Sequence, residues 1–162
     1  MAYKKIKSPN QLKKILGVLK RQGKKIVFTN GCFDILHVGH IRYLSQARRL
    51  GDILVVGLNT DRSVRTIKGE KRPIVCENER AEVLSALKVV DYVVLFDEPD
   101  PLALIKALKP SILVKGADWM EDKIIGGDVI KQSGGRVVRI PLVPGSSSTN
   151  LIEKIITAYC PS

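Results

Sequence analysis

A chain of 162 residues can bury about 70% of the surface its unfolded form exposes, so one domain spanning 1–162 is expected. It carries 27 Lys and Arg against 16 Asp and Glu, a formal net charge of +11. Its basic clusters lack the interleaved aromatic residues of a single-strand nucleic-acid surface, so a smaller polyanion is the expected partner and nucleic acid is not. No apolar run approaches the ~20 residues that span a bilayer, and Met1-Ala2-Tyr3-Lys4-Lys5 lacks the apolar core of a signal peptide. Cys32, Cys76 and Cys160 show no metal-ligand spacing. These features exclude membrane insertion, a disulfide framework and a zinc site, and predict a cytoplasmic protein.

In chain order, Ser8-Pro9-Asn10-Gln11 combines an N-cap serine, proline at the first helical position and a capping-box glutamine, which predicts a helix to about Gln22. The apolar run 25–28 reads as a buried strand, after which Ile41, Leu44, Ala47 and Leu50 recur at helical spacing and Gly51 supplies a stop. A strand follows at 53–58, then a basic loop from Lys68 to Arg72 and a helix over 77–88. A strand at 92–96 precedes a helix opened by Asp100-Pro101 and ending near Lys109. Strands at 112–115 and 136–140 flank a short helix over 128–132. Last comes the hydroxyl-rich segment Ser146 to Asn150, leading into a stripe of Leu151, Ile152, Ile155 and Ile156. Residues 1–24 read as an N-terminal helical extension of a core at 25–158.

Strands separated by helices imply parallel pairing through right-handed crossovers: an α/β fold with a Rossmann-like, doubly wound, five-stranded parallel sheet between helical layers. Ligands of such sheets bind beyond the carboxyl ends of the strands. His37, Asn59, Gly116 and the loop before Ser147 all follow strand ends, so they are expected to converge.

The chemistry concentrates in Thr29-Asn30-Gly31-Cys32-Phe33-Asp34-Ile35-Leu36-His37-Val38-Gly39-His40, where a strand hands over to a helix. Unpaired N–H groups and the positive end of the macrodipole favour an anion there, and Gly31 and Gly39 allow a phosphate close to the backbone. Two imidazoles add donors that can follow charge developing on a reacting phosphate. The plainer alternative, two polar residues at a helix start, does not call for both histidines, both glycines and Asp34 together. Lys68 to Arg72 could neutralise phosphates or form a solvated turn, whereas the earlier clusters 4–7, 13–14 and 20–25 read as a solvated face.

This segment resembles the HxGH motif of the nucleotidyltransferase superfamily in its cytidylyltransferase-like form. Further segments resemble the bacterial branch that makes ADP-heptose from ATP and D-glycero-β-D-manno-heptose 1-phosphate: Asn59-Thr60-Asp61, Lys68-Gly69-Glu70-Lys71-Arg72-Pro73-Ile74, Glu79-Arg80, Val114-Lys115-Gly116-Ala117-Asp118-Trp119 and Ser147-Ser148-Thr149-Asn150-Leu151-Ile152. The resemblance implies that His37, His40 and Lys68 are catalytic. It places Thr29, Asn30, Gly31, Phe33, Asp34 and Gly39 of the motif at the nucleotide, together with Arg80, Gly116, Asp118, Ser147, Ser148 and Thr149. Asn59, Asp61, Arg72 and Trp119, with Lys68, would meet the sugar phosphate.

The implied reaction is adenylyl transfer, with ATP and a sugar 1-phosphate as partners and Mg2+ carried mainly on the ATP phosphates rather than in a protein metal site. The product would feed lipopolysaccharide inner-core or other heptose-glycan synthesis. The sequence contains no sugar-kinase domain, and the resemblance leaves homodimer or higher homo-oligomer open. Two alternatives stay open: a glycerol-3-phosphate or other polyol-phosphate cytidylyltransferase, and a non-catalytic nucleotide-binding regulatory module.

Overall fold

Five strands alternate with helices along the chain: β1 (Ile26–Gly31), β2 (Ile53–Asn59), β3 (Tyr92–Phe96), β4 (Ile112–Gly116) and β5 (Arg136–Ile140). They form one sheet in the order β3-β2-β1-β4-β5, and every pairing is parallel. The computed structural model describes the backbone of residues 2–160 and the side chains of residues 4–160; Met1, Pro161 and Ser162, at the ends of the expected domain, lie outside the described residues.

Successive strand residues point to opposite faces, and both faces are covered. Val27 of β1 joins Leu54, Val56 and Leu58 of β2 beneath α2 (Val38–Arg48) and α4 (Glu77–Ala86). Ile26 and Phe28 face the other way, with Val55 and Leu113, toward α1 (Pro9–Arg21), α5 (Leu102–Leu108) and α6 (Gly127–Gln132). Within the expected 1–24 extension, α1 packs onto the sheet. Leu12 and Leu16 of α1 are buried in the second core, and Lys7 N–H donates to the Val93 carbonyl.

The start of α1 follows local chemistry: Ser8 Oγ accepts from Gln11 N–H at 3.3 Å and Gln11 Oε1 accepts from Ser8 N–H at 3.0 Å. Other expectations are corrected. The 77–88 helix stops at Ala86, and an unexpected helix α3 (Asp61–Lys68) follows β2, N-capped by Thr60, whose Oγ1 accepts from Ser63 N–H. Gly51 is not a left-handed stop, because α2 ends at Arg48. A Cβ there would lie 2.8 Å from the Lys25 carbonyl, so glycine lets this turn pass against β1. Lys5 and Lys20 are not merely solvated charges. Lys5 Nζ donates to the Leu87 and Val90 carbonyls, and Lys20 Nζ donates to that of Leu108.

The stripes on α2 and α7 (Ser148–Tyr159) are less buried than their spacing suggests: Ile41 is 37% exposed, and Ile155 and Ile156 are 54% and 53% exposed. Helical periodicity reports a shared face but cannot say what covers it.

Sheet topology positions the cleft. From β1 the chain steps outward to β2 and β3, then crosses back to place β4 on the other side of β1. β1 pairs with β2 over six residues but with β4 over only two, Val27 with Ile112 and Phe28 with Leu113. Beyond those pairs the strands diverge, and a cleft opens at their carboxyl ends.

Candidate active site

The cleft has a volume of about 500 Å³ and is lined by the ends of β1, β2 and β4, the starts of α2 and α7, and the loop after α3. It gathers most of the expected residues: Asn30, Gly31, Phe33, Asp34, His37, Gly39 and His40 from the first segment, then Asn59, Lys68 and Arg72, then Gly116, Asp118 and Trp119, and Ser147, Ser148 and Thr149. Thr29, Asp61 and Arg80 do not line it.

His37 is the N-cap residue of α2 but its side chain makes no cap hydrogen bond. Its ring folds over Gly39, where a Cβ would stand 2.9 Å from two imidazole atoms. The His37 and His40 ring centroids lie 3.9 Å apart, and Phe33, in the left-handed region at φ 43°, sets its ring 5.3 Å from His40 at a tilt of 57°. Nδ1 of each histidine is buried with no hydrogen-bond partner, so a pair of orphaned imidazole nitrogens stands at a helix N-terminus. Native proteins rarely leave such atoms unpaired without a functional reason.

Burial pushes the His40 pKa down to about 4, with His37 adding to the effect, and burial also lowers that of His37. Both rings are therefore neutral near pH 7. Unfolded His40 binds its proton near pH 6.5 and the folded ring near 4, so between these values the unfolded chain holds more protons and stability falls as pH falls. Thermal melts from pH 7 to pH 4 should show wild type losing its advantage over His40→Gln. Parallel curves would show that His40 is not desolvated in this way.

Asp34 lines the cleft but its carboxylate is committed. It accepts from Ile74 N–H at 2.9 Å, from Val75 N–H at 2.8 Å and from Arg72 Nε at 2.6 Å. Burial pushes its pKa up, but the Val75 and Ile74 N–H groups and Arg72 outweigh it and hold the carboxyl below its ordinary range. Asp34 thus anchors the basic loop over the cleft rather than offering a free group to a nucleotide. Cys32 of the same segment also lines the cleft, and burial raises its thiol pKa.

Arg80 is 1% exposed, and each of its three guanidinium nitrogens has a partner: Nε donates to the Val75 carbonyl, one terminal nitrogen to the Cys32 carbonyl and the other to Asp61 at 2.7 Å. This network ties α4 and α3 to the motif backbone and explains why Asp61 is also outside the cleft. Thr29 is buried beneath it, its hydroxyl sharing a 2.7 Å hydrogen bond with Tyr43. Asn59 lines the cleft but is 3% exposed, and its Nδ2 donates to Ser63 Oγ.

At α7, Ser147 is the cap, accepting from Asn150 N–H at 3.0 Å, while Ser148 Oγ donates to the Ile35 carbonyl. Ser146 and Thr149 add further hydroxyls to the lining, Ser146 beside Gly39 of the motif. The residue reading missed several lining side chains, among them Tyr43, Asp100 and Lys115. Tyr43 has no motif signal, whereas Lys115 lay in plain view as a cation at the end of an apolar strand.

Residues 28–154 match the family model described as cytidylyltransferase-like. The chain belongs to the cytidylyltransferase-like nucleotidyltransferases. The bifunctional protein HldE of Geobacter metallireducens is 56% identical over 155 residues, 96% of this chain and 32% of that protein; HldE of Magnetococcus marinus is 56% identical over 134 residues, 83% of this chain and 28% of that protein. The chain spans about a third of the length of these curated relatives. Among solved structures, a lipopolysaccharide core biosynthesis protein from Thermoplasma volcanium shares 36% identity at TM-score 0.60, covering 75% of this chain and 98% of its own. A pantoate-β-alanine ligase from Francisella tularensis, complexed with β-γ ATP and β-alanine, shares the fold at 16% identity and TM-score 0.59, covering 94% of this chain and 78% of its own.

Proposed function

We propose that this chain transfers AMP from ATP to D-glycero-β-D-manno-heptose 1-phosphate, releasing pyrophosphate and ADP-heptose for lipopolysaccharide inner-core or other heptose-glycan synthesis. The observation that carries the reading is the convergence on one cleft of two orphaned imidazoles at a helix N-terminus, Lys68 at the end of α3 with the anchored loop that carries Arg72, and the hydroxyls at the start of α7. The HldE relatives and the lipopolysaccharide-biosynthesis neighbour support the heptose branch.

In this reading an oxygen of the sugar phosphate attacks the α-phosphorus of ATP in line, and the bond to pyrophosphate breaks. His37, His40 and the start of α2 stabilise the charge that grows on the α-phosphate oxygens. Lys68 and Arg72 hold phosphates of sugar and nucleotide, and Trp119 and Asp118 border both substrates. No protein nucleophile is required.

Among the described residues no group of three or more His, Cys, Asp or Glu could hold a metal ion, and Asp34 already holds Arg72. Mg2+ would arrive on ATP, held mainly by the nucleotide phosphates whose charge it neutralises. The reading places the chain in the cytoplasm, where ATP is supplied. No helix among the described residues is long and apolar enough to cross a membrane.

The test is a pyrophosphate-release screen crossing ATP, CTP, GTP and UTP with heptose 1-phosphate and glycerol 3-phosphate. Rapid turnover is expected for ATP with heptose 1-phosphate alone. Preference for CTP would assign a polyol-phosphate cytidylyltransferase instead, and silence in every well would favour a regulatory nucleotide-binding module.

A further inference from the structure

Lys115 occupies the floor of the cleft at the carboxyl end of β4, beside the point where β1 and β4 diverge. Its Nζ donates to Asn30 Oδ1 of β1 at 2.6 Å and stands 5.4 Å from the centroid of the Trp119 ring. Asn30 is neutral, and the ammonium has no ion pair with a carboxylate among the described residues. Burial pushes its pKa down to about 8, with Asp118 and Cys32 pulling the other way. A desolvated ammonium of this kind is costly unless it meets an anion, and only one of its three N–H donors is taken by Asn30. Arg72 already shares Asp34 and Arg80 is closed off beneath the motif, which leaves Lys115 and Lys68 as the cleft cations with no ion pair among the described residues.

We propose that Lys115 is a further phosphate-binding residue of this cleft, its ammonium presented by Asn30 and the face of Trp119 to a phosphoryl oxygen of a bound substrate. The anion belongs either to the nucleotide or to the sugar phosphate, since the cleft is expected to take both. The inference rests on the phosphate-ester reading of the cleft but not on the choice of heptose.

The test uses Lys115→Met, which keeps an apolar stem against Trp119 and removes the charge, beside Lys115→Arg, which restores it. The full chain is titrated separately with ATP and with D-glycero-β-D-manno-heptose 1-phosphate by calorimetry. Lys115→Met should weaken binding of at least one ligand by about tenfold or more, with partial recovery in Lys115→Arg, and the arm that weakens names the source of the phosphate. Binding of both ligands within twofold of wild type would overturn the proposal and leave Lys115 as a support for Trp119.

Wild-type protein supplies a second measurement should Lys115→Met fail to fold. Acetylation of Lys115 by acetic anhydride at pH 8, followed by mass spectrometry, should slow at least about fivefold in saturating ATP, heptose 1-phosphate or inorganic pyrophosphate. Equal labelling with and without all three would sink the proposal. Protection by pyrophosphate from a chain that is silent in the turnover screen would uphold Lys115 while refuting the adenylyltransferase reading.

Discussion

His40→Ala should lower kcat by about 10²- to 10³-fold, about 3 to 4 kcal/mol, with little change in ATP affinity. The magnitude is that of losing one preorganised donor to transition-state charge, and the geometry supports it: a neutral, half-buried ring, 3.9 Å from its partner imidazole, with an orphaned nitrogen at the start of α2. Steady-state kinetics, nucleotide titration and a thermal melt on the same preparation separate the outcomes. Near-normal turnover, or activity lost only because the variant unfolds, would remove His40 from the chemistry.

Lys68→Ala and Arg72→Ala should each reduce kcat/KM by about an order of magnitude or more, because charge-assisted contacts to phosphate are worth roughly 1.5 to 3 kcal/mol. Lys13→Ala and Lys14→Ala, exposed on α1, should be nearly silent. Lys20 is unsuitable as a surface control, since its ammonium holds the Leu108 carbonyl. Asp34→Ala should reproduce the Arg72 defect and also cost about 3 kcal/mol of stability. It leaves Arg72 and the Ile74 and Val75 N–H groups without their buried acceptor. Equal, small kinetic effects at all four cationic positions would make the loop part of the general basic surface. An Asp34→Ala variant as stable as wild type would show that the carboxylate does not anchor it.

The sequence by itself determined what depends on neighbours along the chain. The capping box opening α1, the strands at 92–96 and 136–140, and the histidine pair at a strand-to-helix junction are all set within a few residues, and alternation of strands with helices then leaves few parallel topologies. Residue identity and spacing also marked segments that meet in the cleft, because His37, Asn59, Gly116 and Ser147 lie at or after strand ends. Only the tertiary structure decided which of the polar residues would be free to meet a ligand. Arg80 and Asp61 pair with each other, Thr29 is matched by Tyr43 and Asp34 by a loop some forty residues away, while Lys115 has no carboxylate ion pair among the described residues. The apolar faces of α2 and α7 tell the same story, since spacing aligned Ile41, Ile155 and Ile156 but the fold leaves them partly exposed. Spacing specifies direction from a backbone, whereas pairing and burial depend on what folding brings from distant segments into the space that a side chain points toward.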